Sequence, residues 1–279
     1  MLTVSAFVFA LAASPASMAE LVLSSEGARM NGLLYRPAAD GPRPLVLLLH
    51  GMPGNERNLD LGQAARAAGY NVLFFHPRGM WGSAGRMSFA NGLQDVDAVL
   101  RWARQPEIAR QYGIDPARIA LIGHSYGGWL ALQTAARQPP AVCAAGLAAW
   151  NAGLSGKRFA DHPDEKASRA AAYALYAAPE GGMLRTDSAA LMEELWTQRE
   201  AYDYQAQAPA LARHPLLLVA ATRDSAVSGP AALQPLAAAV RAAGGQADYQ
   251  ELDDDHGFNN QRPALIARVL AWLARDCFR

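Results

Sequence analysis

The sequence predicts an α/β fold: a mostly parallel sheet with helices on both faces. Three observations lead there. Apolar runs of strand length alternate with helical patterns along most of the 279 residues. The run at 44–50 (PLVLLLH) is apolar up to its final histidine, as a strand buried on both faces requires. The alternation breaks once, at 151–209, where helical patterns occur without a convincing strand.

The elements follow in order. Residues 20–25 and 29–36 read as an antiparallel hairpin, and Pro42 and Pro44 punctuate the next loop. The strand at 44–50 leads to a helix at 57–68, which Gly69 closes as a C-cap. Residues 71–75 form a strand. Residues 93–104 form an amphipathic helix with Leu93, Val96, Val99, Leu100 and Ala103 on one face. A short buried strand at 118–123 meets a helix at 125–137, and residues 141–150 form the next strand. Helical patterns at 165–178 and 189–204 make the segment 151–209 a cap over the sheet's C-terminal edge. Its aromatics, with Trp150 before it, read as cap core rather than substrate contacts. The chain then resumes with a strand at 215–221, a helix at 229–243, a strand at 246–252 and a helix at 262–274.

Composition bounds the answer. With 51% hydrophobic residues, a chain of this length can bury a large core without disulfides or metal. Lys and Arg number 25, as do Asp and Glu, so nothing points to nucleic acid as a partner. Residues 1–19 carry no charged side chain; an apolar stretch precedes Ser17-Met18-Ala19, which resembles an export signal cut after Ala19. The expectation is a signal at 1–19, a single domain at 20–279 and a periplasmic or secreted protein, or a cytoplasmic one if the segment is no signal. The stretch is too short for a membrane anchor. Cys143 and Cys277 are expected to be unpaired, because Cys277 lies near a chain end that should fray. Neither cysteine has the spacing of a zinc site.

The chemistry gathers around Gly123-His124-Ser125-Tyr126-Gly127-Gly128. The segment follows a buried strand and opens a helix. Small residues on either side admit a sharp turn that lifts the Ser125 hydroxyl above the sheet, at a helix N-terminus that favours negative charge. A serine needs a base, and His256 is the best placed of six histidines, in the loop after the last strand. His124 should point away into packing, His50 and His76 could line the site, and His162 and His214 should be solvated or structural. Asp224, just past the strand at 215–221, completes the order Ser, Asp, His on successive strand ends. Asp253, Asp254 and Asp255 are rivals, but they sit too near His256 along the chain to accept from its ring. His50-Gly51-Met52-Pro53-Gly54 ends the first long parallel strand. The backbone N–H groups of Met52 and Tyr126 are the expected oxyanion donors; Pro53 has none to offer.

The chain thereby resembles the α/β-hydrolase superfamily, in particular its dienelactone-hydrolase-like and prolyl-oligopeptidase-like branch. The likeness rests on HGMPG at 50–54, HPRGMWGSAG at 76–85, DPARIALIGHSYGG at 115–128, TRD at 222–224 and DDHGF at 254–258. It implies an eight-stranded sheet, with Ser125, Asp224 and His256 at its C-terminal edge and Met52 and Tyr126 as oxyanion donors. The chain departs from the pattern at His76, where many relatives carry Asp, so no role for this loop can be borrowed. Arg78 or Arg86 could hold a substrate carboxylate, although a structural role for both is the simpler expectation. The implied activity is ester hydrolysis on small or medium substrates, with no cofactor or metal. The alternatives are a small peptidase or aminopeptidase acting on short peptides and, from another class, a non-catalytic binding protein on the same fold.

Overall fold

The strand β3 (Arg43–Leu49) shows why the sequence folds as it does. Leu45, Leu47 and Leu49 pack on one side of it and Val46 and Leu48 on the other, all 2% exposed or less. Successive side chains of a strand alternate faces, so a wholly apolar run needs cover on both. The computed structural model describes residues 15–139, 142–178, 182–227 and 229–279.

β1 (Ser17–Ser25) and β2 (Ala28–Arg36) form the antiparallel hairpin at one sheet edge. After β3, α1 (Leu59–Ala67) leads to β4 (Asn71–Phe75), and α2 (Phe89–Ala103) and α3 (Pro106–Tyr112) lead to β5 (Ile114–His124). α4 (Tyr126–Ala135) joins β5 to β6 (Val142–Leu147). Four helices follow: α5 (Ala152–Arg158), α6 (Pro163–Ala177), α7 (Ser188–Thr197) and α8 (Ala208–Leu211). β7 (Leu216–Ala221), α9 (Gly229–Ala242), β8 (Ala247–Leu252) and α10 (Arg262–Trp272) complete the chain. The eight strands lie in the order β1-β2-β4-β3-β5-β6-β7-β8. β2 meets β4 antiparallel, and every pairing from β4 to β8 is parallel.

Helices cover both faces. α2, α4 and α9 contribute Val96, Trp129, Leu130 and Leu236 to one core, and α1 and α10 contribute Leu61, Leu265 and Trp272 to the other. A buried side chain of this kind stabilises the fold by about 1.5–3 kcal/mol. The described residues of 151–209 are helical or turn and form no strand beyond the single bridge Met80–Leu184. Trp150, Phe159, Tyr202 and Tyr204 are buried there, while Tyr173, Tyr176 and Trp196 pack against the same core half-covered.

Several details differ from expectation. α2 begins at Phe89, four residues before the predicted start, with Ser88 as its cap: the Ser88 hydroxyl accepts from the Asn91 N–H at 3.0 Å. α3 was not foreseen; it starts on Pro106 and stops on Gly113 in a left-handed conformation. β6 ends at Leu147, not Trp150. The cysteine pair differs too. Cys143 and Cys277 are joined by a disulfide, contrary to the unpaired state expected of a frayed end. The end does not fray, because residues Leu273–Cys277 continue α10 as a π-helical turn and Leu273 is buried. That turn carries Cys277 to Cys143 in β6, with Cα atoms 5.7 Å apart.

The apolar stretch of the expected export signal, residues 2–13, lies outside the described residues. Its predicted end does not: Ser17, Met18 and Ala19 pair with Arg36, Tyr35 and Leu34 of β2. Among the described residues, no helix is long and apolar enough to cross a membrane.

Candidate active site

The parallel strands deliver their C-terminal ends to one edge of the sheet, where open α/β sheets bind ligands. β5 ends there at His124, and Ser125 follows with φ 55° and ψ −119°, a backbone conformation that costs an L-residue energy. The neighbouring glycines make the turn possible. A Cβ on Gly123 would lie 1.9 Å from the Gly127 carbonyl oxygen, and a Cβ on Gly127 would lie 2.1 Å from that of Leu49. The Ser125 backbone is held on both sides. Its N–H donates to Leu147 at 2.9 Å, and its carbonyl accepts from Trp129 and Trp150, both at 3.1 Å. Ser125 is the N-cap of α4, not its first residue as expected.

Asp224 lies in the loop after β7 and His256 in the loop after β8. Backbone bonds stitch these loops together: Thr222 N–H donates to Leu252 and Arg223 N–H to Asp254. The His256 Nδ1–H donates to Asp224 Oδ2 at 2.6 Å, on a carboxylate side chain with no exposed surface. The other oxygen of Asp224 accepts from the Ala226 and Val227 N–H groups, each at 2.8 Å. The carboxylate is thus locked, and the ring is aimed by it.

The rival carboxylates are engaged elsewhere. Asp253 meets Thr222 and Arg223, and Asp255 accepts from Gly257 and Asn259. Asp254 is fully buried. Burial opposes its ionisation, but donors from Asn260, Asp255 and Gln261 outweigh that and hold its carboxyl below the usual range. It organises the His256 loop.

His124 is buried, as expected, yet it does more than pack. Its Nε2–H donates to the His256 carbonyl at 2.7 Å, and the two rings lie 4.7 Å apart. Burial lowers its pKa to about 3, with the His256 charge acting in the same direction. His214 is buried against the Val142 carbonyl. Arg78 is structural: its Nε donates to buried Asp95 at 2.5 Å. Arg86 is exposed.

The loop after β3 faces the elbow. A Cβ on Gly51 would lie 3.2 Å from Ser125 Cβ. Gly51, Met52, Pro53, Gly54, His124, Ser125 and His256 line one small cavity of about 130 Å³. The Met52–Pro53 bond is cis. No backbone acceptor pairs with the Met52 N–H among the described residues. The Tyr126 N–H, at the first position of α4, precedes the first intrahelical bond, from Trp129 to Ser125. A larger cavity of about 660 Å³ opens between α5, α6 and the turn after Asp224, lined by Trp150, Leu154, Arg169 and Val227 among others.

The arrangement brings Ser125, Met52 and His256 onto one cavity, bonds His256 to Asp224, and places the Tyr126 N–H next to the serine. Such a set can deprotonate a hydroxyl, hold the imidazolium that forms and offer N–H groups to a developing oxyanion. Sequence reasoning left His50 and His76 unassigned. They immediately follow the adjacent strands β3 and β4, and the His76 Nδ1 lies 3.2 Å from His50 Nε2.

Known proteins share this fold. The chain is 33% identical over 129 residues to the uncharacterized protein Rv2307c of Mycobacterium tuberculosis, which is 46% of this chain and 44% of the relative. It spans less than half the length of the curated relatives it matches first. Among solved structures, an acylaminoacyl peptidase from Pyrococcus horikoshii superposes with a TM-score of 0.69 at 15% identity, over 95% of this chain and 42% of that one. A fungal esterase from Rhizomucor miehei gives 0.67 at 18% identity, over 95% and 85%. At these identities the structures establish the fold alone. Its structural neighbours are dienelactone-hydrolase-like and acylaminoacyl-peptidase-like. The model of the alpha/beta hydrolase family matches residues 46–269, and the chain belongs to that family.

Proposed function

We propose that this hydrolase cleaves carboxylic esters of small or medium size through an acyl-enzyme on Ser125. The observation that carries the reading is the His256–Asp224 bond of 2.6 Å, made beside a serine on a positive-φ turn in the same cavity. His256 takes the Ser125 proton as the hydroxyl attacks the acyl carbon. Asp224 keeps the ring in the Nδ1–H tautomer and offsets the charge that His256 gains. The N–H groups of Met52 and Tyr126 receive the oxyanion. The protonated leaving group departs, and His256 then activates water to release the acid.

A second reading, hydrolysis of short peptides, is favoured by the likeness to the acylaminoacyl peptidase. Turnover of alkyl esters compared with aminoacyl amides separates the two. Faster turnover of the esters by a hundredfold or more supports the first; comparable rates support the second. Export is part of the proposal, and the Cys143–Cys277 disulfide supports it, since such bonds persist in oxidising compartments.

A further inference from the structure

We infer that His76 and His50 are positioning residues that fix the Gly51–Met52 peptide through a two-ring hydrogen-bond relay. The inference rests on the reading of Met52 N–H as an oxyanion donor. His50 Nδ1 lies 2.7 Å from the Gly51 carbonyl oxygen. A carbonyl only accepts, so His50 Nδ1 carries the proton. Burial lowers His50 to about 4, against the pull of its bond to Gly51 and with help from the Arg57 charge. The ring is therefore neutral at pH 7, and its Nε2 is an acceptor. His76 Nδ1, 3.2 Å away, must then be the donor. Burial, together with the charges of His50 and Arg57, lowers His76 to about 3, so it too is neutral.

The relay ends on a peptide unit that matters. The Gly51 carbonyl and the Met52 N–H belong to one planar trans peptide, and they point in opposite directions. Holding the oxygen on the His50 side turns the N–H away from that ring. The rest of the loop is held likewise. Trp81 Nε1–H donates to the Pro53 carbonyl at 2.7 Å, and Arg57 Nε–H donates to that of Gly54 at 3.3 Å. Arg57 also lies over the Trp81 ring, 4.4 Å from its centroid. The packing leaves no slack: a Cβ on Gly54 would lie 2.5 Å from His50 Nδ1. His76 and Trp81 both come from the loop after β4. That loop therefore buttresses the oxyanion loop through a neutral donor.

Two measurements on the full-length protein test this. Nitrogen-15 NMR of the imidazoles at pH 7 reads the tautomers directly, without substrate. Both His50 and His76 are expected as Nδ1–H, the form less favoured by free histidine in water; an Nε2–H or doubly protonated His76 overturns the relay. The second is ester turnover by two variants. His76→Phe keeps the ring packing against Phe74 and Trp81 but removes the donor. It should lower kcat about 10- to 100-fold with KM within about threefold, since oxyanion stabilisation acts in the transition state. His76→Asn places an N–H donor the same number of bonds from the backbone, and should stay within about threefold of the native kcat. Native kcat in His76→Phe, or equal loss in both variants, overturns the inference; if His76→Phe does not fold, the NMR tautomers decide. Native protein that takes no phosphonate at Ser125 would instead overturn the hydrolase reading beneath it.

Discussion

Asp224 and His256, 32 residues apart in sequence, meet through a 2.6 Å bond whose carboxylate partner has no exposed side-chain surface. The second oxygen of Asp224 is spent on the N–H groups of Ala226 and Val227. The carboxylate thus has a structural end and an end that faces the imidazole. Asp224→Asn should separate the two. The amide oxygen can still accept from the backbone, so the fold should persist by circular dichroism. The amide nitrogen facing His256 would favour the wrong tautomer, and kcat should fall about 10³- to 10⁴-fold. A loss smaller than tenfold would count against His256 as the base.

The elbow glycines predict a stability effect independent of chemistry. A Cβ on Gly127 meets backbone oxygens of Leu49 and His50 at 2.1 and 2.6 Å, and backbone cannot swing aside as a side chain can. Gly127→Ala should cost about 4 kcal/mol or more, or prevent folding. A thermal melt reads it; a midpoint within a few degrees of the native protein would contradict the turn as described.

Much of the fold was legible because central strands such as β3, β6 and β7 are apolar on both faces and helical patterns separate them. The element boundaries were less so, for local reasons. The helix read at 93–104 begins at Phe89, so Gly92 lies inside α2, where a Cβ would sit 2.0 Å from the Tyr126 hydroxyl. The glycine is there for close packing, which the sequence alone does not reveal. Arg57 reads as a helix start but turns back to Gly54 and Trp81, and α1 waits until Leu59. At the site, Ser125, Asp224 and His256 were readable because each follows a recognisable strand. The His50–His76 bond was not, since it depends on β3 and β4 lying side by side. The disulfide was missed for the same kind of reason: its partners are 134 residues apart, and only the packing of the C-terminal turn joins them.

That disulfide carries a prediction. The purified protein should take up no thiol label until reduced, and two labels per chain afterwards. A cross-link closing so long a loop restricts the unfolded chain strongly, and its removal should cost about 2–5 kcal/mol. Urea unfolding with and without reductant measures this. Two labels on the unreduced, denatured protein would show that the bond does not form.

Acid should destabilise the fold through its buried histidines. His50, His76 and His124 are held well below the ordinary 6.5, at about 4, 3 and 3, with burial the first cause in each case. The unfolded chain takes up these protons first, so it gains as pH falls. Stability is full above about pH 6.5 and should decline from there towards pH 4, at about 1.4 kcal/mol for every tenfold difference in proton affinity. Carboxylates held low, such as Asp60 and Asp254, act in the same direction but only below their ordinary range near 4. His124→Asn should lower the melting temperature at pH 7 and flatten its fall between pH 6.5 and 4. A native profile that is flat across that window would contradict the neutral buried rings.

The most direct test of the account is the site of covalent capture. The native protein, treated with an organophosphonate and digested, should carry one adduct, on the peptide containing Ser125, with loss of ester turnover in proportion. Ser125→Ala should take no adduct and hydrolyse no ester while melting close to the native temperature. An adduct on another serine, or unchanged turnover in Ser125→Ala, would contradict it.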